Sequence, residues 1–147
     1  MCCLWRISMI EIKINHDPVA WTAPRLGRGI CYSAHTKFKE IFHAFICSQY
    51  KEAPIKDYVV LDLTFYYGTP KSASKKQKES MLRGTLFPTK QDCTNLQKFA
   101  EDCLKKIVIE DDRNVVKISS KKLYGLNGSV VIKIWTLEEY KESCESF

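Results

Sequence analysis

Leu96, Phe99, Ala100, Cys103, Leu104 and Ile107 recur at i, i+3, i+4, i+7, i+8 and i+11. That spacing lines one side of a 3.6-residue helix with apolar groups. Such a helix has to bury that side, and the flanking segments supply a sheet to bury it on. Tyr58 to Tyr66 alternates, with Val59, Leu61, Leu63 and Phe65 on one face, the two-residue period of a strand. Met9 to Asn15 alternates in the same way, with Ile10, Ile12 and Ile14 on the apolar side. Phe38, Ile41, Phe42, Phe45, Ile46 and Tyr50 predict an amphipathic helix over 34–51, with Ser33 or Thr36 to cap it and Pro54 beyond its end. Asp92 or Thr94 can cap the later helix.

Between these elements, Trp21 to Tyr32 reads as a loop or irregular hairpin, and 68–91 as a long polar connection. A strand is expected at about 114–122. Tyr124 to Gly128 then forms a turn into a last strand, Ser129 to Thr136, the two strands pairing as a hairpin. The order is β-α-β-α-β-β, an α/β (α+β) single domain with helices packed on a small mixed sheet. Its expected limits are 9–136, after a short extension at 1–8 and before a polar tail at 137–147.

Composition narrows the functional classes. A chain of 147 residues, 45% hydrophobic and 27% charged, is the size and make-up of one globular domain. No apolar run is long enough to cross a bilayer, so no membrane partner is expected. The opening Met1 to Ser8 has neither the basic start nor the apolar length of an export signal, and Met9 could serve as a start in its place. Seven cysteines at irregular spacing contain no C-x₂-C pair, which disfavours zinc and fits reduced thiols in the cytoplasm. His16, His35 and His43 share no ligand or triad spacing. There is neither a glycine-rich phosphate loop nor a G-x-S-x-G elbow, so no small-molecule cofactor is expected. The net charge of +6 is concentrated, with Lys71, Lys75, Lys76, Lys78, Arg83 and Lys90 crowding one central stretch among serines. Alone, that pattern is a solvated loop or a phosphate-contacting surface.

Beside it lie the carboxylates: Asp92, then Glu101 and Asp102, then Glu110, Asp111 and Asp112. Phosphodiester hydrolysis commonly uses a hard divalent cation held by a few carboxylates, with water and phosphate filling its remaining positions. On the helical wheel Asn95, Lys98 and Asp102 form a stripe beside the apolar face, with Thr94, Glu101 and Lys105 next to it. Each piece has a plainer reading: Asp92 as a helix cap, and 110–112 as a solvated turn. Asp111 and Asp112 could meet the start of the helix only through tertiary folding.

The segment Lys90–Ile118 resembles the RusA-like Holliday-junction resolvases, whose hallmark is D-x-D-N-L-x-K, a helix, then D-D-x-Q-V. This chain has Asp92-Cys93-Thr94-Asn95-Leu96-Gln97-Lys98, then Asp111-Asp112-Arg113-Asn114-Val115. Pro18, Pro24-Arg25, Gly27 and Tyr32 resemble the family's amino-terminal loop, and Pro70-Lys71-Ser72 to Lys76 its lysine-rich loop. The resemblance implies a homodimer that binds branched DNA, the four-way junction above all, and makes paired nicks with Mg²⁺ or Mn²⁺. It assigns metal binding to Asp92 and Asp112 and a catalytic role to Asp92, Lys98 and Asp112, with Asn95, Asp102 and Asp111 in support. Arg25, Arg28, Lys71, Lys75, Lys76, Lys78, Arg83 and Lys90 are the candidate DNA contacts.

Three positions depart from the hallmark. Thr94 replaces its second aspartate, Gln91 a common proline and Asn114 the usual glutamine. A hydroxyl is a poorer, neutral ligand, so the expected metal set is Asp92 and Asp112 with Thr94 or, in compensation, Glu101. Glu101 lies on the same helical side, about 10 Å along the axis, so Asp102 or a bridging water could be needed instead. The alternative to an active endonuclease is a catalytically impaired junction-binding protein of the same family.

Overall fold

The computed structural model describes residues 9–23, 25–27, 30–32 and 36–143, with backbone alone at 25–27 and 30–32. β4 (Val59–Gly68) is the strand around which the rest is arranged. Val59, Leu61, Leu63 and Phe65 are buried on one face, and Val60 and Thr64 on the other. A strand apolar on both sides belongs inside a sheet, and β4 lies between two partners in the order β1-β6-β4-β5. β1 (Ile10–Ile14) pairs antiparallel with β6 (Ser129–Thr136), Ile12 opposite Ile132. β6 pairs antiparallel with β4, Leu63 opposite Ile132. β5 (Val115–Gly125) runs parallel to β4, Leu61 opposite Ile118.

A parallel neighbour requires a crossover, supplied here by α3 (Cys93–Leu104), which returns along the sheet. Its Leu96, Phe99, Ala100, Cys103 and Leu104 are buried with Phe42 and Ile46 of α1 (Thr36–Gln49) against Ile12, Ile14, Leu61, Leu63, Phe65, Ile132 and Ile134. The Phe42 and Phe99 rings meet edge to face at 5.1 Å, locking the two helices together. The opposite face is covered at one end by α4 (Leu137–Ser143), where the Tyr140 ring meets Trp135 edge to face at 5.5 Å and its hydroxyl accepts a hydrogen bond from Lys117. The free edge of β1 is occupied by the Gln49 side chain. Its amide accepts from the Lys13 N–H at 2.9 Å and donates to the Lys13 carbonyl at 2.7 Å, as a further strand would.

The single α+β domain on a mixed sheet is the expected fold, with three corrections in detail. β5 and β6 do not form a hairpin, because β4 is inserted between them and the turn Leu126–Gly128 passes over its end at Gly68. The 68–91 stretch is not a plain loop and contains α2 (Lys75–Arg83). Ser74 and Gln77 cap its start reciprocally, and Gly84 ends it in a left-handed conformation at φ 83°. α3 stops at Leu104, short of Ile107, because Lys106 turns the chain away with φ 69°. The loop or irregular hairpin at 21–32 holds two three-residue strands, β2 (Arg25–Gly27) and β3 (Ile30–Tyr32), paired antiparallel.

Candidate active site

Asp92 stands at the start of α3 as its N-cap, with one carboxylate oxygen accepting from the Asn95 N–H at 3.0 Å. The Asn95 side chain approaches the other oxygen at 3.4 Å, a long and weak contact. The segment that delivers Asp92 is held from below. Lys122 of β5 donates to the Gln91 carbonyl at 2.5 Å, and Tyr67 of β4 donates to the Gln91 side chain at 2.6 Å. Burial pushes the Tyr67 phenol up to about 12, so it remains a donor across the neutral range. Tyr67 also lines an open cleft with Asp17, Pro18, Pro88, Lys90 and Tyr124, at the carboxyl ends of β4 and β5. Lys98, one turn further along α3, sits over the Trp21 ring at 3.4 Å from its centroid and remains exposed.

Asp111 and Asp112 lie at the other end of the helix, where a single 3-10 turn (Asp112–Asn114) leads into β5. Asp111 is committed locally. Its carboxylate accepts from the Arg113 backbone N–H at 3.1 Å and from the Arg113 guanidinium at 3.0 and 3.2 Å. Chiefly that backbone bond, with Asp112 and the guanidinium after it, holds the Asp111 carboxyl well below the usual carboxylate range. Asp112 forms an ion pair with Lys105 at 3.8 Å. Glu101 is half-buried between these groups. Loss of water raises its pKa, a hydrogen bond with Gln97 opposes the rise, and the charges of Asp112 and Asp102 add to it.

α3 therefore gathers Glu101, Asp102, Lys105 and Asp112 towards its carboxyl end and keeps Asp92, Thr94 and Asn95 at the other. From Asp92 to Glu101 is nine residues, about 13 Å along the axis, and to Lys105 about 20 Å. The strand gives the same separation. Lys122 lies beneath Gln91, whereas Asp112 precedes Val115, seven residues back along β5 and about 23 Å away. Carboxylates on one ion stand within about 5 Å of each other, and a two-ion site adds about 4 Å. Within a single chain Asp92 and Asp112 do not fit a shared ion. Among the described residues no three His, Cys, Asp or Glu side chains are grouped to hold a metal.

α2 carries Lys75, Lys76, Lys78 and Arg83 on a helix that buries none of its residues, with Lys71 before it and Lys90 after it. Of the described ion pairs, Lys105–Asp112, Lys106–Glu110 and Arg113–Asp111, none takes a cation from this segment. The side chains of Arg25 and Arg28 lie outside the described residues. Among the described residues no helix is long and apolar enough to cross a membrane. Tyr67 and Lys122 are contributors that the motif does not contain. Gln91 stood out in the sequence only as a departure from the hallmark, and Lys105 only by its place beside the polar helical stripe.

An exposed cationic arm beside an acidic helix, on one small α+β domain, suits an enzyme acting on the phosphate backbone of DNA. The comparison with known families defines it further. The model of the endodeoxyribonuclease RusA family matches residues 18–135, which is most of the chain. The protein belongs to the RusA endodeoxyribonuclease family, whose general activity is resolution of Holliday junctions. No curated relative matches it.

Proposed function

We propose that this protein is a structure-selective endodeoxyribonuclease that resolves four-way junctions by paired, Mg²⁺- or Mn²⁺-dependent nicks, acting as a cytoplasmic homodimer. The family match over 18–135 carries this reading, because the matched span includes both motif carboxylates, the motif lysine and the cationic arm. When bound, a hard divalent cation would polarise the phosphoryl oxygen and acidify a bound water. What this chain's own residues contribute is recognition and placement. Lys71, Lys75, Lys76, Lys78, Arg83 and Lys90 contact phosphates and so set affinity and salt dependence. Lys98 brings a positive charge towards the reacting phosphate, with Trp21 fixing its direction. Asn95 and Asp111 hold Asp92 and the turn before β5 in place.

A second reading, a junction-binding protein that does not cut, is favoured by one observation: Asp92 already serves as a helix cap and Thr94 offers no charge beside it. The deciding experiment is nicking of a mobile four-way junction with and without Mg²⁺ or Mn²⁺, beside a linear duplex and an Asp112→Asn variant. Metal-dependent nicks on the junction alone, lost in the variant, support the nuclease. Tight junction binding with no cleavage in either metal replaces it with the second reading.

A further inference from the structure

The cleft at the carboxyl ends of β4 and β5 has a volume of about 400 Å³. That is at the small end of the range of about 300–1,000 Å³ for ligand sites, room for one planar group and not for a stacked helix. Its walls are flat and mostly apolar. Tyr67 and Tyr124, both half-buried, are register partners on the parallel strands, so their side chains leave the sheet on the same face from backbones about 4.8 Å apart. Pro18 and Pro88, both buried, and Pro70 complete the lining. Proline has no rotamer freedom to lose, and Tyr67 is held by its bond to Gln91. A ring seated here therefore meets walls that are already in place.

The cleft is also the root of the cationic arm. Gly68 and Pro70, where the arm leaves the domain, and Pro88 and Lys90, where it returns, all line it. The Thr69 N–H bonds to the Gly125 carbonyl at 3.2 Å and pins the departing end to β5. Lys71, next to Pro70, and Lys90 thus stand at the two ends of the arm, beside the cleft mouth. A nucleic-acid strand held there by its phosphates passes over the opening. Asp17 adds a carboxylate to the lining. A carboxylate accepts hydrogen bonds and repels phosphate, so the lining favours a base edge with its N–H donors and turns the backbone outward towards the lysines.

From this, and resting on the nuclease reading above, we infer that the cleft takes one unpaired base of a branched DNA strand, stacked against Tyr67 and Tyr124, with the phosphate of that nucleotide on Lys90. The base has to be unpaired, because inside a duplex both of its faces are covered by stacked neighbours. A base that has already lost its pair or its stacking enters at the lowest cost, so the cleft discriminates branched from continuous DNA without reading sequence. The pocket is tied to the motif as well. Tyr67 holds Gln91, the neighbour of Asp92, so the ring that carries the base also anchors the segment that carries the carboxylate.

The probe is a duplex with a single bulged thymidine, set beside the same duplex with an abasic residue at the bulge, and titrated in EDTA by fluorescence anisotropy. Stacking of one base on aromatic side chains changes affinity by about five- to a hundredfold. The wild type is expected to prefer the bulged base to the abasic bulge by that factor. Tyr124→Leu loses the preference while binding the abasic DNA as the wild type does, and Tyr124→Phe keeps it. A Tyr124→Leu protein that binds both DNAs more weakly but retains the preference overturns the inference, because the two DNAs carry the same phosphates. The second measurement uses the unaltered protein, so it decides the matter even where Tyr124→Leu does not fold. 5-Iodouracil placed at the bulge is irradiated and the attached peptide is mapped. Attachment at Tyr67 or Tyr124 supports the cleft, and attachment confined to other residues refutes it. A wild type that binds four-way junctions tightly yet holds the two bulges equally also refutes it, and leaves the nuclease reading intact. A wild type that prefers no branched DNA to linear duplex defeats both.

Discussion

One substitution pair separates the observed role of Asp92 from its proposed one. Its carboxylate caps α3 through the Asn95 N–H at 3.0 Å, and the proposed chemistry needs its negative charge for a cation. Asparagine caps a helix about as well as aspartate, whereas alanine leaves the donor without a partner, a loss of about 1 kcal/mol. The second contact from Asn95, at 3.4 Å, is too long to add much. Neutralising a charge at a helix N-terminus removes a further few tenths of a kcal/mol. For a domain of this size about 1 kcal/mol lowers the melting temperature by roughly 2–4 °C. Asp92→Ala is therefore expected to melt roughly 2–4 °C below the wild type, and Asp92→Asn within about 2 °C of it. Both should lose junction nicking entirely. The measurements are a thermal melt followed by circular dichroism, and nicking of the mobile junction in Mn²⁺. Asp92→Asn that melts like the wild type and still nicks at the wild-type rate would refute the catalytic assignment and leave Asp92 a cap alone.

A β-carbon at Gly128 would overlap the Asp17 carboxylate and come within 3.0 Å of the Asp17 α-carbon, so Gly128→Ala is expected to cost about 1–3 kcal/mol in urea denaturation. Asp17→Ala should relieve only part of that cost, since the backbone contact remains. Cys103 is buried and its thiol is pushed up to about 12 by loss of water, so it stays protonated in the native protein. With its folded pKa above its unfolded value of 9.0, its contribution is intact below pH 9 and lost as pH rises towards 12. Alkylation at pH 8 with mass mapping should label exposed Cys47 and spare Cys103 until urea is added. Ser74→Ala removes half of the α2 capping box, at a local cost of about 1 kcal/mol. Hydrogen exchange should then quicken across 75–83 with the global melt unchanged, because α2 buries no residue in the core.

The core could be read from the sequence because burial leaves a period. Val59, Leu61, Leu63 and Phe65 alternate, Leu96 to Leu104 follow the helical repeat, and all of them are buried where those patterns place them. What escaped the reading leaves no such trace. α2 has no apolar side, so only Ser74-x-x-Gln77 and Gly84 announce it, and a cap signature is easily lost inside a lysine-rich stretch. The hairpin expectation took turn chemistry at Tyr124–Gly128 as evidence for pairing. A short turn joins two strands but does not prevent a third from lying between them. β5, with Lys117, Ser119, Ser120, Lys121 and Lys122, is too polar for the interior, whereas β4 is apolar on both faces and takes the central place. In the candidate site, the motif gave residue identities and order. It did not give the distance between Asp92 and Asp112, because that depends on α3 standing full length between them.

The insertion of β4 between β5 and β6 has a consequence while the chain is still being made. β4 is the most apolar strand, and both of its sheet neighbours lie later in the sequence. After Gly68 leaves the ribosome, its first neighbour begins at Val115 and its second at Ser129, about 50 and 60 residues later. At about 5–20 residues per second that interval lasts some 3–12 s, during which β4 has two bare backbone edges and an uncovered apolar face. The nascent chain is thus at its most adhesive in the middle of translation. Holding it apart from its neighbours over those seconds is work for a chaperone that binds extended apolar segments, and truncation before Val115 leaves both edges of β4 bare for good.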